Sequence, residues 1–147
     1  MRYETDVAID LPRERVVALV MDPALVPLWQ KECVRRTLVD GEHGQPGAKT
    51  EVVTQMNGRE MTMIETITCN DLPNGFSETY ETAGVWNSID HHFEALDDHR
   101  TRWCTVNEFR CSGLMMKFMM LVAPGMFKRQ TQTFLNNFKA WAETYEG

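Results

Sequence analysis

The chain is short of positive charge: Lys and Arg number 15 against 21 Asp and Glu, for a formal charge of −6. Nucleic acids and anionic bilayers are gripped by basic footprints, so the balance argues against both nucleic acid and anionic membranes as partners and leaves only a local basic patch as an exception. Cysteine is scarce and scattered. Cys33, Cys69, Cys104 and Cys111 stand singly with no C-x-x-C pair, which argues against zinc and for reduced, mostly buried thiols. A long apolar run is missing too. The richest stretch, Leu114 to Ala123, is interrupted by Lys117 and falls well short of the roughly twenty residues of a membrane span, so no stable membrane insertion is expected. The first residues, Met1-Arg2-Tyr3-Glu4-Thr5-Asp6, lack the basic-then-apolar order of a secretory signal, and a cytoplasmic location is expected. Internal repeats, linkers and charge runs are also lacking, and residues 1–147 read as one domain.

What is present is alternation. Tyr3, Thr5, Val7 and Ile9 alternate with charged neighbours and predict a strand over about 2–10. Pro12 suits a first helical turn, Val16, Leu19 and Val20 recur at helical spacing, and Asp22-Pro23 ends a short helix over 12–21. Asp22 is expected to cap one further turn, with Pro23 in its first position and Pro27 limiting it. Strand follows strand from there: 32–40, 48–56, 59–69, 76–83, 85–95 and 100–111. Asn57-Gly58 between two alternating runs predicts a type I′ hairpin. A long C-terminal helix over 126–145 carries Phe127, Phe134, Phe138, Trp141 and Tyr145 on one stripe, a pattern of core packing. Pro124-Gly125 separates it from the methionine-rich run. The order is that of an α+β domain with a meandering sheet.

The strand, the proline-started helix Ile9-Asp10-Leu11-Pro12-Arg13-Glu14-Arg15-Val16, the Asp22-Pro23 to Trp29 step, the loop with Gly41, Gly44 and Gly47, the meander and the terminal Phe138-Lys139-Ala140-Trp141-Ala142-Glu143 together resemble the START-like (SRPBCC) superfamily. The polyketide cyclase/dehydrase and lipid-transport group is the nearest within it. The resemblance implies a helix-grip fold, a seven-stranded antiparallel sheet wrapped around a long C-terminal helix with two short helices after strand 1. It also implies a ligand space between sheet and helix, used in some members to carry lipids or quinones and in others to cyclise polyketides.

Side-chain alternation selects the residues that face that space. The inner sets are Met61, Met63, Glu65 and Ile67; Phe76, Glu78, Tyr80 and Thr82; Val85, Asn87, Ile89, His91 and Phe93; and Thr101, Trp103, Thr105, Asn107, Phe109 and Cys111. Buried polar groups must pair, hydrogen-bond or meet ligand. His91 is therefore a candidate acid/base, Glu65 or Glu78 a base or orienting partner, and Tyr80 a donor to a developing enolate oxygen. Equally, His91 bonding a glutamate or Asn107 would only satisfy the core. Candidate ligand-binding residues are Met61, Met63, Glu78, Asn87, Ile89, Trp103, Asn107, Phe109, Met115, Met119 and Phe134, with methionine supplying an adaptable lining. His91 and His92 point to opposite faces and make no chelate, and Gly41, Gly44 and Gly47 lack the strand-to-helix setting of a dinucleotide loop. No metal or cofactor is expected.

The leading expectation is binding of an apolar small molecule, lipid, polyketide or quinone-like, between sheet and helix. A polyketide cyclase or aromatase is the enzymatic alternative. A protein-interaction module, or a homodimer, built on the 114–123 surface is the third, because its apolar side chains fall on two helical stripes and one sheet face cannot cover both.

Overall fold

A computed structural model describes residues 1–147. The alternating segments form β1 (Arg2–Ile9), β2 (Cys33–Asp40), β3 (Lys49–Met56), β4 (Arg59–Asp71), β5 (Gly75–Thr82), β6 (Val85–Asp97) and β7 (Arg100–Cys111). All pair antiparallel in one sheet of order β1-β7-β6-β5-β4-β3-β2. β2 to β7 is a simple meander, and β1 comes back beside β7, with Val7 opposite Trp103 and Ile9 opposite Thr101. Asn57 and Gly58 both take positive φ, 53° and 76°, as a type I′ hairpin between β3 and β4 requires.

Helix α1 (Arg13–Met21) buries Val16 and Leu19 against the sheet. The next turn forms as expected, with Pro23 first in it and Asp22 accepting the Ala24 N–H on Oδ1 at 3.0 Å and the Leu25 N–H on its carbonyl at 3.2 Å. Pro27 departs from expectation: α2 (Val26–Trp29) follows with it inside the first turn. Proline has no N–H to lose there, so it starts this helix and does not limit it. Pro124-Gly125 divides the C-terminal region into α3 (Leu114–Val122) and α4 (Met126–Ala142).

The grip closes on α4. Its fully inward residues are Leu135, Phe138 and Ala142, flanked by Phe134, Trp141 and Tyr145, so the buried line is the expected aromatic stripe shifted by a residue. Phe138 meets Trp29 and Trp103 edge-on at 5.0 and 5.2 Å between ring centroids. Phe127, expected on the same stripe, stacks on Phe109 of β7 at 4.7 Å. The four thiols are free, and only Cys33 is buried, fewer than their spacing suggested. Neither methionine stripe of α3 is buried: the helix has no buried residue.

Candidate functional site

Beneath α1 and α2, the inner face of the sheet carries two hydrogen-bonded polar groups side by side. In the first, Glu65 of β4 receives two donors on one oxygen: an Arg36 guanidinium N–H at 2.6 Å and the Tyr80 hydroxyl at 2.7 Å, both on Oε2. Register makes the second contact, because Glu65 lies directly opposite Tyr80 in the β4–β5 pair. In the other group, His91 Nε2 meets Glu78 Oε1 at 3.0 Å, and the Trp103 indole N–H donates to His91 Nδ1 at 3.1 Å. An indole N–H only donates, so Nδ1 is the accepting nitrogen and Nε2 carries the ring proton toward Glu78. Phe76, directly across from His91, stacks on the imidazole at 4.3 Å and 10°. Glu78 and Tyr80, two apart on β5, bring the groups together on one face.

Backbone spacing at this point depends on Gly75. A Cβ there would sit 2.1 Å from the carbonyl oxygen of His91, so only glycine lets β5 start this close to β6.

Burial and charge act jointly on the first group. The Glu65 carboxyl is raised above its ordinary range by burial and then by the Glu78 charge, which outweigh the opposing pull of Arg36. Tyr80 is pushed well above the usual phenol value by burial and by the two glutamates. Burial works against the charge of Arg36, yet Tyr80, Glu65 and Glu78 hold its pKa above that of an ordinary arginine. Two carboxylates and one guanidinium thus share a largely dehydrated space.

That space is a cavity of about 70 Å³. Glu65, Glu78, Tyr80, His91, Trp103 and Phe134, all singled out by alternation or helical stripe, line it together with Arg36, Ile67 and Phe76. Val20, Met21, Val26 and Trp29 roof it from α1 and α2, and the exposed Pro23 and His43 mark its rim. The Trp29 indole N–H is buried with no acceptor in the protein, as is the Nε–H of Arg36. Both are donors on residues of the cavity wall.

The remaining expected ligand residues lie elsewhere. Asn107 donates to Thr105 at 2.8 Å, and Thr105 shares a 2.6 Å contact with Thr5, closing a polar seam between β1 and β7. Asn87 donates to the Glu108 carbonyl at 3.1 Å. Met63 packs on a small cluster of Val26, Cys33 and Val52. Met61 is exposed, and Ile89 and Phe109 are absent from the cavity wall. Met115 and Met119 sit on α3, away from it, with Met115 79% exposed. No group of three or more His, Cys, Asp or Glu is placed to hold a metal ion, and no helix is long and apolar enough to cross a membrane.

Arg36 is the residue that alternation misses. Counting from the buried Cys33 by twos gives Arg35 and Thr37 as inward, but a register shift between Cys33 and Arg35 in the β2–β3 pair moves Arg36 to the inner face. A bulge inserts one residue and reverses the facing beyond it.

Solved structures share this arrangement of strands and helices. A protein designated TTHA0849 from Thermus thermophilus superposes with a TM-score of 0.80 at 13% identity over 100% of both chains. The Zhui aromatase/cyclase from Streptomyces sp. R1128 gives 0.79 at 16% identity over 97% of this chain and 93% of its own. A START superfamily protein from Mycobacterium smegmatis gives 0.69 at 12% identity over 92% and 94%. Identities this low establish the shared helix-grip fold alone. No curated protein sequence matches significantly. The sequence profile of one family, by contrast, matches residues 1–143, from β1 through the last turn of α4, and on that match the chain belongs to the polyketide cyclase/dehydrase and lipid transport family.

Proposed function

We propose that the protein binds a small molecule with an apolar body and a hydrogen-bond-accepting head in the cavity between the sheet and α4. One observation carries the reading: an apolar wall surrounds a buried Arg36–Glu65–Tyr80 cluster, and two wall residues, Trp29 and Arg36, keep an N–H without an acceptor in the protein. Buried donors without partners are costly, so a ligand carbonyl or similar oxygen would be stabilised there. The cavity also bounds the ligand. At about 70 Å³ it is well below the roughly 300 Å³ of a pocket for a drug-sized molecule, so anything larger must either protrude past the Pro23 and His43 rim or displace the roof.

A second reading, proton transfer on a ketone as in a cyclase, draws on Glu65. Burial and the Glu78 charge raise its pKa, so this carboxyl holds a proton more readily than an exposed glutamate does. In this reading Glu65 meets substrate, and His91 and Tyr80 support the two carboxylates. Tyr80 already donates to Glu65, and both nitrogens of His91 are engaged.

Trp29 and Trp103 make binding visible by their own fluorescence. Titration with a panel of small cyclic and aromatic ketones is expected to give saturable quenching for at least one member, weakened in Arg36→Met. Native mass spectrometry of the purified protein checks for a retained ligand. No saturable change with any ketone and no added mass would overturn the proposal. Turnover lost in Glu65→Gln with quenching retained would favour the enzymatic reading.

A further inference from the structure

Helix α3 stands apart from the cavity, and no part of the binding reading uses it. Its sequence, Leu114-Met115-Met116-Lys117-Phe118-Met119-Met120-Leu121-Val122, is apolar except for one lysine. At 100° per residue, Leu114, Met115, Phe118, Leu121 and Val122 fall on a single face about 120° wide, with Phe118 near its middle. Each of these five is between 60% and 87% exposed. Met116, Met119 and Met120, on the other side, are partly covered. An apolar ridge of this kind on a free protein marks a contact surface.

Charge identifies the contact. From Phe109 to Ala142 the chain has five basic residues, Arg110, Lys117, Lys128, Arg129 and Lys139, and no Asp or Glu, although its formal charge is −6. Arg110 and Lys139 are paired with Glu108 and Glu143. Lys117, Lys128 and Arg129 are exposed and make no ion pair with any carboxylate, the first on α3 and the others in the first turn of α4. Exposed charges farther off than a Debye length of about 8 Å are largely screened, so cations on and beside α3 weigh more at close approach than the net charge of the whole chain.

We infer that α3 docks on the surface of an anionic lipid bilayer, lying in the plane of the headgroups with Phe118 and its apolar neighbours inserted and Lys117, Lys128 and Arg129 against lipid phosphates. At about 14 Å the helix is far too short to span, and a short apolar face with adjoining cations is the pattern of an interfacial helix. Lysine flanking such a face reaches the headgroups along its aliphatic stem. A second copy of the chain is the poorer occupant, because a two-fold contact centred on α3 would bring Lys117 toward its own symmetry mate without an acid between them.

Co-sedimentation of the full chain with vesicles tests this, using phosphatidylcholine alone and phosphatidylcholine mixed with phosphatidylglycerol, at low and at physiological salt. The mixed vesicles should retain the protein, the neutral ones much less, and added salt should weaken retention. Replacing Lys117, Lys128 or Arg129 by Gln should lower affinity about fivefold for each charge removed. Phe118→Ser with Leu121→Ser, both exposed and so harmless to folding by circular dichroism, should abolish retention. No retention on the mixed vesicles, or retention unchanged by the double serine variant, would overturn the inference. So would a dimer in sedimentation velocity that the serine variant dissociates while vesicles retain nothing.

Discussion

Trp103 donates its indole N–H to Nδ1 of His91 at 3.1 Å, and that one contact selects which imidazole nitrogen faces Glu78. Trp103→Phe keeps the aromatic packing on Phe138 but leaves Nδ1 unsatisfied in a buried site. The expected loss is about 1–3 kcal/mol in urea denaturation. Nitrogen NMR of His91 should show the tautomer preference relaxing, a change that lost packing alone would not produce.

Arg36 neutralises one of two neighbouring buried carboxylates. Arg36→Met leaves Glu65 facing Glu78 without a cation, and breaking a buried pair from one side is expected to destabilise by about 3–5 kcal/mol. Adding Glu65→Gln to that variant should recover a good part of the loss, because it removes the orphaned charge. A double-mutant cycle in denaturant measures the coupling.

Both groups show how far alternation reaches. Period-two reading placed Glu65, Glu78, Tyr80, His91 and Trp103 on the inner face because their strands run in unbroken register over those positions. It could not place Arg36, since a bulge in β2 is a property of the pairing with β3 and leaves no mark on β2 alone. Nor could it size the cavity. That depends on Trp29, whose ring packs 4.7 Å from Phe134 and 5.0 Å from Phe138, contacts between residues more than a hundred positions apart. The methionines of α3 misled for the opposite reason: helical apolarity ordinarily signals a buried face, and here none is buried.

Glu65 makes folding stability depend on pH in a defined direction. Its folded-state pKa is raised above the unfolded value near 4.5, so between the two the folded state holds the extra proton. The slope of unfolding free energy with pH is then negative, and the stabilisation present below 4.5 is lost as pH rises through the folded pKa. Denaturant midpoints measured upward from pH 4.5 should fall more steeply in the parent protein than in Glu65→Gln. Equal slopes would show that Glu65 is not the group responsible.

The two phenylalanines Phe138 and Phe118 should separate core from surface. Phe138 is fully buried between Trp29 and Trp103, and Phe138→Ala is expected to cost about 3–5 kcal/mol. Phe118 is 63% exposed, and Phe118→Ala should change stability by about 0.5 kcal/mol or less. A large effect at Phe118 would mean that α3 packs on the domain in solution.

Trp29 gives the sharpest test of the cavity. Its ring is buried against Phe134 and Phe138, but its N–H meets no acceptor in the protein. Trp29→Phe removes a buried donor together with part of an aromatic surface, and the two effects oppose one another. Stability should therefore change by about 1 kcal/mol or less, where a large-to-small change in a fully satisfied core would cost more. Affinity for a ketone found in the fluorescence screen should fall about tenfold if the indole N–H holds its oxygen, with Trp103 reporting the titration in the variant. Unchanged affinity would remove Trp29 from the binding site and leave Arg36 as the only wall residue with a buried N–H that has no acceptor in the protein.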